Sequence, residues 1–223
     1  MVQGNGNRDA GTRRLKYIHL LDKLPEGKKA IGSRWVLSYK SDAEGMITKT
    51  KARLVAKGFM QREGVDYLQT SAPTPAAASV TILMTVANEK GDKIYHLDVA
   101  QAFTKAELDC VVYMKLPGGC DGLSGKFVLL EKALYGLRQS GLLWNDLLVV
   151  KLVQVHGMEQ CKTDPCVFRL IREGIVVMIL TVHVDDMAVA GPREEDDKLL
   201  EVLNEDFTTN YLCLLYTSPS PRD

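Results

Sequence analysis

Two mostly apolar runs, Ile175 to Val184 and Met187 to Ala190, flank a pair of adjacent carboxylates, Asp185-Asp186. Runs of this length and composition read as strands, so the carboxylates fall at or near the tip of a hairpin. Two neighbouring negative charges repel, and burying one edge of them against an apolar sheet is costly unless a cation compensates. The other reading of the pair is an ordinary polar turn, where Asp-Asp is common. At 223 residues the chain can bury one sizeable core around such a hairpin, or two small lobes sharing an interface.

Net charge is zero, yet its distribution is uneven. Between Arg13 and Arg62 there are thirteen Lys or Arg against four Asp or Glu; from Glu63 onward there are fourteen basic and twenty-three acidic residues. A basic part suits phosphates and an acidic part suits divalent cations, although two solvated charged surfaces explain the same numbers. With 46% hydrophobic and 25% charged residues, the composition is that of a globular protein rather than a disordered one. The run from Ile175 to Val184 is about half the length of a membrane-spanning helix. No signal segment opens the chain, so an intracellular location without membrane contact is expected. The five cysteines form no Cys-x-x-Cys pair and read as reduced thiols.

Residues 1–12 are polar and Gly-rich and read as a disordered lead-in. Pro25-Glu26-Gly27 marks a turn. Arg34–Lys40 alternates, with Trp35, Leu37 and Tyr39 on one face, and Ile47–Lys57 completes a hairpin across a loop at Asp42–Gly45. Thr74-Pro75 reads as an N-cap and first helical residue, opening a helix with Val80, Leu83 and Ala87 on one face and its stop at Gly91. Short strands follow at Ile94–Val99, Val111–Leu116 and Phe127–Leu130. Leu134, Leu137, Trp144, Leu148 and Leu152 recur at helical spacing. Strands at Phe168–Ile171 and Ile175–Val184 meet near Gly174, and Glu194–Phe207 is a helix with an acidic first turn. Helices and hairpins intermix without βαβ alternation, so the class is α+β with a mainly antiparallel sheet.

A second carboxylate, in Tyr95-His-Leu-Asp98-Val99, also ends a short apolar strand. Asp98 with Gln101 three residues on is equally a capping box. Here a resemblance enters. His96-Leu-Asp98-Val-Ala-Gln-Ala-Phe103 and Val182-His-Val-Asp185-Asp186 resemble two catalytic motifs of copia-type retrotransposon reverse transcriptases. Lys51-Ala-Arg53-Leu-Val-Ala-Lys57-Gly-Phe59, Val112-Tyr-Met-Lys-Leu-Pro117, and Leu134-Tyr-Gly-Leu-Arg-Gln139 with Trp144 agree in order and spacing. The resemblance spans residues 24–212.

It implies a right-hand polymerase fold, with an antiparallel palm sheet backed by helices and a fingers hairpin lobe. It implies RNA-directed DNA polymerase activity, in which a primer 3′-hydroxyl displaces pyrophosphate from a deoxynucleotide. Asp98, Asp185 and Asp186 would be the catalytic and metal-binding residues, holding two magnesium ions, with manganese as a substitute; hard carboxylate oxygens suit such ions. Lys51 and Arg53, on one face of their strand with Lys49, would meet the triphosphate; a solvated edge is the competing reading for Lys49. Phe103 would block the ribose 2′-hydroxyl or is simply core, and Gln139 would contact the nascent pair or template. Trp144 reads as core. His183 would stand near the primer, where the family usually has Tyr. The implied partners are primer–template, dNTPs and the rest of a Pol polyprotein (thumb, RNase H, integrase), in the cytoplasm or in a virus-like particle of an intact element.

Three departures shape the remaining expectations. His183 and Thr104-Lys105 differ from the family pattern, which keeps open a decayed or domesticated nucleic-acid-binding relic as the alternative function. No thumb follows the last helix, so weak or absent activity is expected of this polypeptide alone. The domain reading is a lead-in at 1–23, fingers and palm at 24–212, and a tail at 213–223. That tail, rich in Ser and Pro, resembles a translated sequencing adapter, is expected to pack on nothing, and has a genuine disordered terminus as its alternative.

Overall fold

The computed structural model describes residues 13–15 and 17–214. The first half of the chain forms strands β1 (Arg13–Leu15), β2 (Ile18–Leu21), β3 (Ala30–Ile31), β4 (Ser33–Ser41) and β5 (Ile47–Ala56), helix α1 (Ala77–Lys90), and strands β6 (Lys93–Val99), β7 (Glu107–Lys115) and β8 (Phe127–Lys132). The second half forms helix α2 (Ser140–Val150), strands β9 (Glu159–Gln160), β10 (Val167–Arg172), β11 (Ile175–His183) and β12 (Asp186–Gly191), helix α3 (Arg193–Asn204) and strand β13 (Thr209–Leu214). The class is α+β, and all described strand pairs are antiparallel except β3 with β7. Among the described residues no helix is long and apolar enough to cross a membrane.

The chain divides into two compact units. One comprises the residues up to Ser71 together with Phe103–Leu143. It holds a sheet in the order β1-β2-β8-β7-β3 and a separate β4–β5 ribbon. Alternation places Val112 and Met114 of β7, Val128 and Leu130 of β8, and Leu20 of β2 in its core with Ile31, Leu116 and Leu137. Two stretches read as lead-in, residues 13–15 and 18–21, are therefore strands. Ile18 and Leu20 are too few for a periodic signal; what makes β2 a strand is its ladder to the apolar run of β8. Trp35, Leu37 and Tyr39 do share one face of the ribbon, but that face is exposed, at 39%, 76% and 69%. Trp35 alone is anchored, its Nε1 donating to the Gly118 carbonyl at 2.9 Å.

The loop before α2 is held edge-on to the end of β5: the Ala56 N–H donates to the Tyr135 carbonyl at 2.8 Å and the Gly58 N–H to the Gly136 carbonyl at 3.1 Å. Gly136 has φ +88°, and a Cβ there would stand 2.2 Å from the Ala56 oxygen, so only glycine fits. Leu134 and Leu137 belong to this turn and not to the helix, which begins at Ser140.

The second unit comprises Ala72–Ala102 and the chain from Trp144 onward. Its sheet runs β13-β6-β12-β11-β10-β9, and α1 packs Leu83 and Ala87 against Ile94 and Ala190. The α1 start differs from the expected Thr74 cap. The N-cap position is Ala76, with no capping side chain of its own. The Asp164 carboxylate instead accepts from the Ala76 N–H at 3.0 Å and the Ser79 hydroxyl at 2.6 Å, and its other oxygen accepts from the Cys166 N–H at 2.9 Å. Burial pushes Asp164 up, but the Ser79, Ala76 and Cys166 bonds outweigh it and hold the carboxyl below its ordinary range. α2 carries Trp144 and Leu148 inward and widens at its end, where the His156 N–H reaches the Lys151 carbonyl. Residues 213 and 214, placed by sequence in the tail, continue β13; residues 215–223 lie outside the described residues.

Candidate active site

β6 turns Leu97 and Val99 into the core and leaves His96 and Asp98 on the opposite, more open face. Across the sheet, Asp98 pairs with Asp186 of β12 on one side and with Asn210 of β13 on the other. Asp186 pairs in turn with His183 of β11. Asn210, Asp98, Asp186 and His183 thus form one row across four adjoining strands, and opposed antiparallel partners lie roughly 4.5–5.5 Å apart at Cα. Asp185 occupies the turn between β11 and β12, where its carbonyl accepts from the Val99 N–H at 3.0 Å. The structure therefore brings Asp98, remote in sequence, onto a position adjoining the Asp185–Asp186 pair.

The turn itself is strained. Val184 has φ 61°, a left-handed conformation that a β-branched residue adopts at a cost of about 1–2 kcal/mol. Trp144, 1% exposed, donates its indole N–H to the Val184 carbonyl at 2.7 Å and meets Phe207 edge-on, with centroids 5.1 Å apart. The tryptophan expected as core also pins the aspartate turn. Gln101 is left-handed too, at φ 56°. Only a short 3-10 turn, Ala102–Lys105, follows it, so the expected Asp98 capping box opens no α-helix.

The electrostatics are those of crowded like charges. Burial pushes the Asp185 carboxyl above its ordinary value; its own backbone N–H works against this, the Asp186 and Asp98 charges add to it, and His183 opposes. Directly opposed like charges destabilise a strand pair, and here each carboxylate finds a donor. Asp98 Oδ2 accepts from Asn210 Nδ2 at 3.2 Å, and Asp186 Oδ1 is 3.0 Å from His96 Nε2. Among the described residues no group of three or more His, Cys, Asp or Glu side chains is arranged to hold a metal ion in these rotamers. The donor chemistry is nonetheless of the kind a hard dication takes: carboxylate oxygens that repel one another, one of them pushed up chiefly by burial. His96 and Asn210 were missed by sequence reasoning. His96 could have been flagged, because two residues before Asp98 on a strand means the same face; Asn210 could not, because nothing local announces that β13 joins β6.

The residues expected at the nucleotide lie in the other unit. Lys51 and Arg53 are on one face of β5 with Lys49, and Lys40 and Arg34 of β4 share it. No carboxylate stands on that ribbon face, and Lys40 is directly opposite Lys49. Phe103 is half-buried in the 3-10 turn, edge-on to Tyr135 at 4.8 Å between centroids. Gln139 is fully buried: its amide oxygen accepts from Gln61 Nε2 at 2.9 Å and its Nε2 donates to the Asp66 carbonyl at 2.8 Å. In this arrangement it braces two loops and presents nothing to solvent, unlike the expected contact with a nascent pair.

Comparison with known proteins agrees with the geometry. Residues 16–216 match the reverse transcriptase (RNA-dependent DNA polymerase) family. The chain is 29% identical over 195 residues to the Retrovirus-related Pol polyprotein from transposon TNT 1-94 of Nicotiana tabacum, covering 86% of this chain and 14% of that one. It is 35% identical over 174 residues to the corresponding polyprotein from transposon RE2 of Arabidopsis thaliana, covering 77% and 12%. The Transposon Ty1-DR4 Gag-Pol polyprotein of Saccharomyces cerevisiae is 27% identical over 188 residues, covering 84% and 11%. The chain thus spans only about an eighth of the length of these relatives. It belongs to the reverse transcriptase family, in the branch carried by copia-type retrotransposons.

Proposed function

We propose that the chain is the nucleotidyl-transfer portion of an RNA-directed DNA polymerase, with Asp98, Asp185 and Asp186 as its catalytic carboxylates. The observation that carries this reading is the direct opposition of Asp98 to Asp186 across β6 and β12, with the Asp185 carbonyl bonded to Val99. A lone capping aspartate needs no such neighbour. Asp98 and Asp185 would hold two magnesium ions with Asp186 beside them. When bound, such ions stabilise charge on the attacking and leaving oxygens of an in-line displacement. In that displacement the primer 3′-oxygen bonds to the α-phosphorus, the bond between the α- and β-phosphates breaks, and pyrophosphate leaves.

The six-stranded sheet is read as the palm and the unit carrying the β4–β5 ribbon as the fingers. His183, in the row of Asp186, faces the primer end. Lys51 and Arg53 bind the triphosphate, Arg53 by its planar fork, and Phe103, buttressed by Tyr135, closes the space of a 2′-hydroxyl. Primer–template, dNTPs and the remaining domains of the polyprotein are the proposed partners.

The test is primer extension on an RNA template by the polyprotein segment that contains this chain. DNA synthesis should require magnesium, Asp185→Asn should abolish it, and Phe103→Val should raise ribonucleotide incorporation. Full activity of the Asp185→Asn protein refutes the carboxylate assignment. Nucleic-acid binding without any synthesis would leave the non-catalytic relic as the better reading.

A further inference from the structure

We propose that Lys151 is a positioning residue: it seats the connection between α3 and β13 against α2, and through Phe207 and Trp144 it steadies the turn that carries Asp185. The inference rests on the reading of Asp185 as catalytic and adds a residue to it.

Trp144, Leu148 and Lys151 follow at steps of four and three along α2 and the widened turn Lys151–Val155 that continues it, so they share one face. Trp144 and Leu148 are buried apolar residues of the core. Lys151 puts a charge on the same face, with its side chain only 10% exposed. An ammonium is costly to bury unless it is paired. Lys151 Nζ meets Glu205 Oε2 at 2.8 Å and Asp206 Oδ2 at 2.7 Å. Both carboxylates stand at the C-terminal end of α3, where the helix dipole is negative and the last turn holds no basic residue. The cation that this helix end lacks comes from α2.

The two gripped residues lead directly into Phe207, which is buried and meets Trp144 edge-on at 5.1 Å. The indole N–H donates to the carbonyl of Val184, the residue before Asp185. Beyond Phe207, the Thr208 carbonyl accepts from the Ala100 N–H at 2.8 Å, and Asn210 reaches Asp98. The connection is thus fastened on two sides: to α2 by the ion pairs and the ring contact, and to the end of β6 by its backbone. Lys151 is the one charged group on the α2 side of that fastening.

Lys151→Met tests this. It keeps the length of the side chain and leaves no buried charge unpaired, since Glu205 and Asp206 are themselves exposed, so the chain should fold. In proton–nitrogen NMR spectra, solvent exchange of the Trp144 indole N–H should quicken about tenfold, the scale of losing a hydrogen bond to a charged group. Amides of the β10–β11 hairpin should keep their rates. Lys151→Arg should restore slow exchange, and in a Glu205→Gln, Asp206→Asn background Lys151→Met should quicken it no further. In primer extension by the polyprotein segment, Lys151→Met should lower kcat several-fold and leave KM for the nucleotide unchanged. Unchanged indole exchange overturns the proposal, as does equal quickening of the indole and the hairpin amides, which a general loss of stability predicts. Selective quickening with an unaltered kcat overturns it too. Absence of synthesis by the unsubstituted segment overturns the polymerase reading instead, and this role with it, whatever the indole does.

Discussion

Trp144→Phe isolates what holds the aspartate turn in place. The indole is 1% exposed and its N–H donates to the Val184 carbonyl at 2.7 Å. A phenyl ring keeps much of the packing and cannot donate. Loss of one such bond costs about 1 kcal/mol net, and the smaller ring leaves a void worth about another 1–2 kcal/mol in a core that cannot fully collapse. The expected loss is about 2–3 kcal/mol, which for a chain of this size lowers the melting temperature by roughly 4–12 °C. Urea unfolding followed by circular dichroism gives the free energy. Tryptophan fluorescence gives a second readout, because the other tryptophan, Trp35, is exposed, so the blue-shifted part of the emission should vanish. Phe207→Leu is the control: it disturbs the ring facing Trp144 and leaves the hydrogen bond alone. If Trp144→Phe costs no more than Phe207→Leu, the indole N–H is not what secures the turn.

Two further substitutions test the frame around the site. Gly136→Ala should destabilise by at least about 2 kcal/mol, because it combines a left-handed φ with a Cβ 2.2 Å from the Ala56 oxygen; a melting temperature within error of the unsubstituted chain would contradict the close approach. Asp164→Ala should cost about 2 kcal/mol at neutral pH, since it uncaps α1 at Ala76 and frees the Ser79 hydroxyl. The Asp164 carboxyl is held below its ordinary 3.8 in the folded chain. Its contribution is therefore fully present above about pH 4 and lost as pH falls through the folded value. The stability gap between the two proteins should close on acidification; a gap that widened would have the wrong sign.

How much of the fold could be read from sequence depended on whether its cause was local. The β10–β11 hairpin was legible because Gly174 follows Glu173 and both take positive φ, 80° and 52°, as a tight turn between two apolar runs requires. The β4–β5 hairpin was legible from alternation, but alternation cannot say whether the apolar face is covered, and on the described ribbon it is not. The α1 cap was misplaced because its acceptor, Asp164, is remote in sequence, while Thr74-Pro75 offered a plausible local substitute. Leu134 and Leu137 keep helical spacing with Trp144, yet the chain there must run edge-on past β5 through Gly136, and that tertiary demand overrides the period. β1 and β2 went unread for the same reason: β2 takes its strand character from its neighbour β8, and β1 in turn from β2.

The site divides along the same line. The candidate carboxylates were singled out from their own neighbourhoods, each a charge at the end of an apolar strand, and from their order among five motifs. What sequence could not supply was the transverse row in which Asn210, Asp98, Asp186 and His183 stand on four different strands. Strand order is set by which faces can be buried together, and no period within one strand encodes it. The row also shows why opposed charges persist on this sheet. A sheet selected only for stability would replace one of two facing aspartates, since the pair destabilises the ladder; this one keeps both and adds a donor at each. It also places a left-handed valine at the turn that carries the third carboxylate, and secures it with a buried indole. Strain and repulsion are thus concentrated at one end of an otherwise well-packed sheet, which is the arrangement that the proposed cation site would use.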